Sequence, residues 1–239
     1  GVSSAASDVY KRQTYASSLT SLVARLGTSC GSYTVPDPGA LAAAKAFVCD
    51  TLGLAAAAQA RTVVSWATGG GSGAVNRALD FVRAQHPRDR FTRLIVQEDS
   101  WPGYASVAYT NLMGLGTCAL DFSAVPEDGL LVAQTVHNGT GRLLPDFAWA
   151  PVAARFAAAD RPVVIDAPYA GFDYASEPYA DAITSAGHAT RAFVEAGTPL
   201  VLAFGPTKVF NTFAYRPGGA AVIVTRSDEE YAAADARMK

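Results

Sequence analysis

The chain has 239 residues, enough for one large domain or two small ones. Half of them are apolar (50%) and 17% are charged, the balance of a globular protein with a sizeable core, and a formal net charge of −2 gives no pull towards nucleic acid or an anionic membrane. No apolar run approaches the roughly 18–20 residues that span a bilayer, and Cys30, Cys49 and Cys118, odd in number and without C-x-x-C spacing, argue against a metal site or disulfide framework and for a reducing, cytoplasmic setting.

Residues 1–13 are small and polar and turn abruptly to Tyr10-Lys11-Arg12-Gln13, with no apolar stretch of a secretion signal. They read as a leader foreign to the fold and are set aside. Residues 14–61 are expected to form an N-terminal helical segment. From Thr62 onward, short β-rich runs alternate with longer Ala-rich ones. A strand is expected over 62–66, a helix over 74–84, a strand over 94–97 and a helix over 104–113. A buried strand follows over 130–135, a helix over 147–159, a strand over 162–166 and a helix over 180–196. Strands over 199–204 and 220–225 come next, and residues 227–239 read as a helix that simply stops, so a fragment of a longer protein is expected.

Strands separated by helices imply parallel crossovers and a sheet covered on both faces. The fold class expected is therefore α/β, a mostly parallel sheet flanked by helices in a three-layer sandwich. Ligands of such sheets sit at the carboxyl ends of the strands, so the residues that follow each strand are the place to look for chemistry. Gly70, Gly71, Ser72, Asn138, Asp166 and Lys208 all fall there.

The run Thr68-Gly69-Gly70-Gly71-Ser72-Gly73-Ala74 lies at a strand-to-helix junction, where glycines let backbone N–H groups approach an anion. It is equally a tight turn, and it matches neither a P-loop nor a dinucleotide fingerprint. Asp166 ends the apolar run Pro162-Val163-Val164-Ile165 and needs a partner there, whether in a helix cap, a salt bridge or a site. Lys208 stands between apolar neighbours just beyond a buried strand, with Arg216 eight residues on. Burial and a nearby cation would lower its pKa, as a Schiff-base lysine requires; the alternative is a lysine on a surface loop.

Together these residues resemble the class I aminotransferases of the aspartate-aminotransferase type. His137-Asn138-Gly139-Thr140-Gly141 resembles the family's H-N-P-T-G, and Asp166-Ala167-Pro168-Tyr169-Ala170-Gly171-Phe172 its D-x-x-Y-x-G-F. Lys208 followed by Arg216 and Gly218 resembles its S-K…R-x-G, and Trp101-Pro102 its W-P. Tyr33, then Val35-Pro36 and Gly39-Ala40-Leu41, resembles the motif ahead of the glycine loop. All five elements occur in the family's order, over about residues 30 to 225.

The resemblance implies a large domain, over 62–226, that binds pyridoxal 5′-phosphate (PLP) and moves an amino group between an amino acid and a 2-oxo acid. In it, Lys208 would form the Schiff base and shuttle a proton, and Asp166 would keep the pyridine nitrogen protonated. Tyr169 and Asn138 would hydrogen-bond the phenolic oxygen, and Trp101 would stack on the ring. Gly70, Gly71 and Ser72 would cradle the phosphate with Arg216 as a bidentate cation. Tyr33 would reach a phosphate across a subunit interface, which implies a homodimer.

Three departures stand out. Gly139 replaces the usual Pro, which predicts a looser loop around Asn138. Gly205 replaces a Ser that contacts phosphate, leaving that contact to Thr207, and Pro206 is unexpected. The family's small domain, with its carboxylate-binding arginine, and the N-terminal arm would lie outside this chain. Tyr104 is either a pocket-lining residue or a packed aromatic. Other PLP chemistry on the same fold, such as a lyase or decarboxylase, is an alternative, as are a non-catalytic homologue and, on the glycine cluster alone, a nucleotide-cofactor domain.

Overall fold

The computed structural model describes residues 38–144, 146–170, 185–208 and 218–238. Its elements begin with α1 (Pro38–Thr51), α2 (Ala56–Ala60), β1 (Thr62–Ala67), α3 (Gly70–Ala84), β2 (Arg93–Gln97), α4 (Tyr104–Thr110) and β3 (Gly114–Cys118). They continue with β4 (Gly129–Gln134), α5 (Asp146–Ala158), β5 (Val163–Ala167), α6 (Ser185–Glu195), β6 (Leu200–Phe204), β7 (Gly219–Val224) and α7 (Asp228–Met238). The seven strands form one sheet in the order β1-β7-β6-β5-β4-β2-β3. From β6 to β3 every neighbouring pair is parallel, whereas β7 runs antiparallel to both β1 and β6. All seven strands lie in the compact unit Val48–Lys239, which the chain forms apart from Gly1–Phe47.

Every residue of β4, β5, β6 and β7 is buried, so these strands carry unbroken apolar runs rather than an alternating pattern. Their side chains still alternate between two faces. Leu131, Ile165 and Leu202 point to one cluster, with Trp149 and Phe156 from α5 and Phe193 from α6. Leu130, Val132, Val164 and Val201 point to the other, with Val75, Leu79 and Val82 from α3. The buried stripe of α3, at Ala74, Ala78 and Val82 and at Val75 and Leu79, repeats every fourth residue, as a helix laid on a sheet requires. The result is the expected three-layer α/β sandwich with a mostly parallel sheet.

Most elements lie where the residue pattern puts them, and two differ in kind. The sequence pattern predicts a helix to residue 113 and no strand after it; the helix stops at Thr110, Leu112 takes a positive φ of 54°, and β3 follows. That strand reads Gly-Leu-Gly-Thr-Cys, with little β-branched content to announce it. Its glycines answer to its neighbour, since a Cβ at Gly116 would lie 2.8 Å from Ile95 Cδ1. The second difference is β7. No helix is expected between the strands at 199–204 and 220–225, and the pair is antiparallel, an arrangement that needs no helical crossover. The leader 1–13, most of the N-terminal segment, residues 180–184 of an expected helix, Cys30, Gly171 and Phe172 lie outside the described residues. Cys49 and Cys118 pack in the core, where burial pushes the Cys118 thiol up to about 11. No described helix is long and apolar enough to cross a membrane.

Candidate active site

β1, β2, β4, β5 and β6 run the same way, so their carboxyl ends meet at one edge of the sheet. A cavity of about 180 Å³ opens there. Each of its walls is a strand end or the turn that follows it.

The first wall is the glycine run after β1. Gly69 and Gly70 take positive φ values of 84° and 67°, a backbone turn that side chains resist, and α3 starts at Gly70, a full turn earlier than the apolar pattern indicates. Gly70, Gly71 and Ser72 all line the cavity, and the first turn of a helix leaves N–H groups without intrahelical acceptors. A Cβ at Gly71 would meet nothing within 4 Å, so this stretch faces open space. From behind, the run is pressed by Gly205, where a Cβ would lie 2.9 Å from the Gly71 N and Cα, and by Gly219, where it would lie 2.3 Å from the Gly70 carbonyl oxygen.

The floor is Asp166, near the end of β5, 5% exposed. Tyr104 on α4 donates its hydroxyl to Asp166 Oδ2 at 2.5 Å. Burial raises the Asp166 carboxyl to about 6 despite the two hydrogen bonds, from Tyr104 and Gln134, that lower it. Tyr104 is itself fully buried, and burial followed by the Asp166 charge holds its hydroxyl well above the ordinary phenol range, so it stays a donor. It does not line the cavity; it stands behind the carboxylate. Trp101 does line the cavity, with its indole edge-to-face on Tyr104 at 5.2 Å and 80°. Gly103 permits that pose, because a Cβ there would fall 2.1 Å from Trp101 Cζ2.

The third wall joins the ends of β4 and β5. Asn138 donates its side-chain amide to the Tyr169 hydroxyl at 2.8 Å. Opposite them, after β6, come Thr207 and Lys208, whose Nζ lies 5.6 Å from the centre of the Tyr169 ring. Lys208 is exposed at the mouth, not buried between apolar neighbours as its sequence context suggests. Arg216 and Tyr33 lie outside the described residues.

The chain matches a known family over most of its length. The model of aminotransferase class I and II matches residues 32–238. The chain belongs to this family. Its members depend on PLP. An aromatic-amino-acid aminotransferase of Paracoccus denitrificans is 30% identical over 132 residues, a match covering 48% of this chain and 32% of that protein. A solved aromatic amino acid aminotransferase with 3-indolepropionic acid has a TM-score of 0.72 at 19% identity, over 92% of this chain and 57% of that one. That of Burkholderia pseudomallei, covalently bound to pyridoxal phosphate, has a TM-score of 0.72 at 24% identity, over 90% of this chain and 55% of that one. The chain thus spans about a third of the curated relative's length and little more than half that of these solved relatives.

Within this aminotransferase fold, two of the chain's departures have structural reasons. Gly139 does not loosen the Asn138 loop. A Cβ there would lie 2.0 Å from the Asp99 carbonyl oxygen, so the loop is packed against the turn after β2 too closely for any side chain, proline included. His137 pins the same loop, with Nε2 2.7 Å from the Glu98 carbonyl oxygen and Nδ1 2.8 Å from Thr140 Oγ1. At Gly205 the close approach to Gly71 leaves no room for a serine side chain. Sequence reasoning passed over Gln134, the polar residue that ends the apolar run of β4 and lines the cavity. Its position, matching that of Asp166 on β5, was the available signal.

Proposed function

We propose that this chain carries the cofactor-binding part of a PLP-dependent aminotransferase that moves an amino group between an amino acid and a 2-oxo acid. The observation that carries the reading is the meeting, around one cavity, of a primary amine, a buried carboxylate, an amide–phenol pair and an open glycine cradle. These groups fit the cofactor. The cradle left open at Gly71 suits a phosphate, the Asp166 carboxylate suits a ring N–H, and the Asn138–Tyr169 pair suits a phenolic oxygen.

When bound, PLP supplies an aldehyde that reacts with amines and a pyridine ring that withdraws electrons from a neighbouring Cα–H bond. The chain's residues do the rest. Gly70, Gly71, Ser72 and Thr207 bind the phosphate, with Arg216 as its cationic partner. Asp166 accepts the hydrogen bond of the ring nitrogen and keeps that nitrogen protonated. Asn138 and Tyr169 hold the phenolic oxygen, and Trp101 covers the ring. Lys208, at the mouth, would offer the amine that holds the aldehyde carbon and would carry a proton at the substrate's Cα. Residues 62–226 form the cofactor domain, after the N-terminal helical segment 14–61. A homodimer completed by Tyr33 of each subunit and a cytoplasmic setting complete the reading.

The test is to incubate the purified chain with PLP, reduce with borohydride and map the product by peptide mass spectrometry. One stoichiometric adduct on Lys208 is expected. Adducts scattered over exposed lysines would sink the proposal. Conversion of bound PLP to its pyridoxamine form on adding an amino acid would then separate transamination from lyase or decarboxylase chemistry.

A further inference from the structure

Asp166 is held by more of the protein than a solitary binding carboxylate needs. In the parallel register of β4 and β5, Gln134 is its direct neighbour. Gln134 lowers the Asp166 carboxyl from that position, and its Oε1 accepts the backbone N–H of Asn138 at 3.0 Å. Gln97 grips the Gln134 backbone at both ends. Gln97 Nε2 donates to the Gln134 carbonyl at 3.0 Å, and Gln97 Oε1 accepts the Gln134 N–H at 2.7 Å. Gln97 and Gln134 are both buried. Tyr104 donates to Asp166 from α4 at 2.5 Å.

We infer that Tyr104 and Gln134 are positioning residues that together clamp Asp166, with Gln134 also holding the Asn138 loop, so that an oriented anion meets the ring N–H of the cofactor. The inference rests on the reading of the cavity as a PLP site. Neither residue touches the reacting atoms; both act through Asp166. A buried carboxylate left to itself favours its neutral form, and a neutral acid is a poor partner for a pyridinium. Two donors, a phenol and an amide, offset that tendency without placing a competing positive charge beside the ring nitrogen. Among the described residues, the titratable groups around Asp166 are Tyr104 from α4 and, sharing the cavity, Tyr169 and Lys208. From β4 the facing group is the uncharged Gln134.

The experiment measures the PLP dissociation constant from pH 5 to 9 for the wild-type chain, Tyr104→Phe and Gln134→Leu. Borohydride mapping of Lys208 is run alongside, and melting temperature against pH is followed without cofactor. The free cofactor titrates identically in all samples, so ratios to wild type are compared. The wild-type affinity should fall as pH drops through about 6, where Asp166 takes up a proton. Losing a donor to a charged acceptor should move that fall to higher pH, weakening binding at neutral pH by about tenfold and far less at pH 9. Gln134→Leu should add a loss that persists at pH 9, because the Asn138 N–H also loses its acceptor. In the cofactor-free melts, Tyr104→Phe should shift the Asp166 transition in the same direction. Variants whose curves run parallel to wild type, displaced equally at every pH, would overturn the clamp while a Lys208 adduct left the site reading intact. Failure of the wild-type chain to load Lys208 would remove both.

Discussion

The floor and the mouth of the cavity are built differently. At the floor, Asp166 is buried, bonded to Tyr104, paired in register with Gln134, and backed by strands whose every residue is buried. At the mouth, Lys208 is exposed, with its Nζ 5.6 Å from the centre of the Tyr169 ring. On the proposed reading, the sheet pre-forms the groups that must stay fixed and leaves at the edge the amine that must change partners. Fixed groups gain from burial because hydrogen bonds there are strong and unpaired polar atoms are costly. If Lys208 acts as the proposed Schiff-base amine, its exposure gives it access.

Breaking the mouth should have the largest effect on loading and the smallest on folding. Lys208→Ala should abolish the borohydride-stable adduct, while its melting temperature stays near wild type, since exposed substitutions change stability by about 0.5 kcal/mol or less. An equally large loss of stability would show that the mouth is not separate from the fold.

Asp166→Asn tests the floor in the opposite sense. The carboxyl rises from near 3.8 to about 6 in the folded chain. Its neutral form is therefore favoured, and the stability it contributes is complete below pH 3.8 and lost as pH rises through about 6. At pH 7.5 the cofactor-free Asn variant should be more stable than wild type by on the order of 2–3 kcal/mol, a gap that closes towards pH 4. It should also bind PLP more weakly. Denaturant melts at the two pH values check the first statement and titration with PLP the second.

Gly205→Ser should lose about 1–3 kcal/mol of stability, because its Cβ would press on the Gly71 backbone 2.9 Å away. It should weaken PLP binding by displacing the cradle. Unchanged affinity, measured by equilibrium dialysis, would show that the close approach at Gly205 does not shape the cradle. The smallest effect belongs to Tyr169→Phe. It removes the acceptor of the 2.8 Å bond from Asn138, a loss of about 1 kcal/mol, or severalfold in PLP affinity at constant fold.

The elements easiest to read were those with one dominant constraint. β4, β5 and β6 announce themselves as continuous apolar runs because both of their faces are covered. Asp166, Asn138 and Lys208 were legible because each closes such a run or follows it, where an α/β sheet places its ligands. β3 was not, because an edge strand with two glycines carries its reason in Ile95 on the neighbouring strand. Gly139 looked like a loss of rigidity and is the opposite, for the constraint is the Asp99 carbonyl oxygen, forty residues away in the chain and 2.0 Å from where a Cβ would sit.

What the sequence alone determined was the layer architecture and the set of chemical groups that the strand ends deliver to one edge, since periodicity and chain order are local properties. Only the tertiary structure decided how those groups hold one another. That Tyr104 stands behind Asp166 rather than in the cavity, that Gln134 holds the Asn138 loop beside Asp166, and that Lys208 remains exposed all depend on contacts between distant elements. Such contacts leave no periodic trace in the chain, because a hydrogen bond between β5 and α4 depends on where the sheet brings their atoms and not on their spacing in sequence.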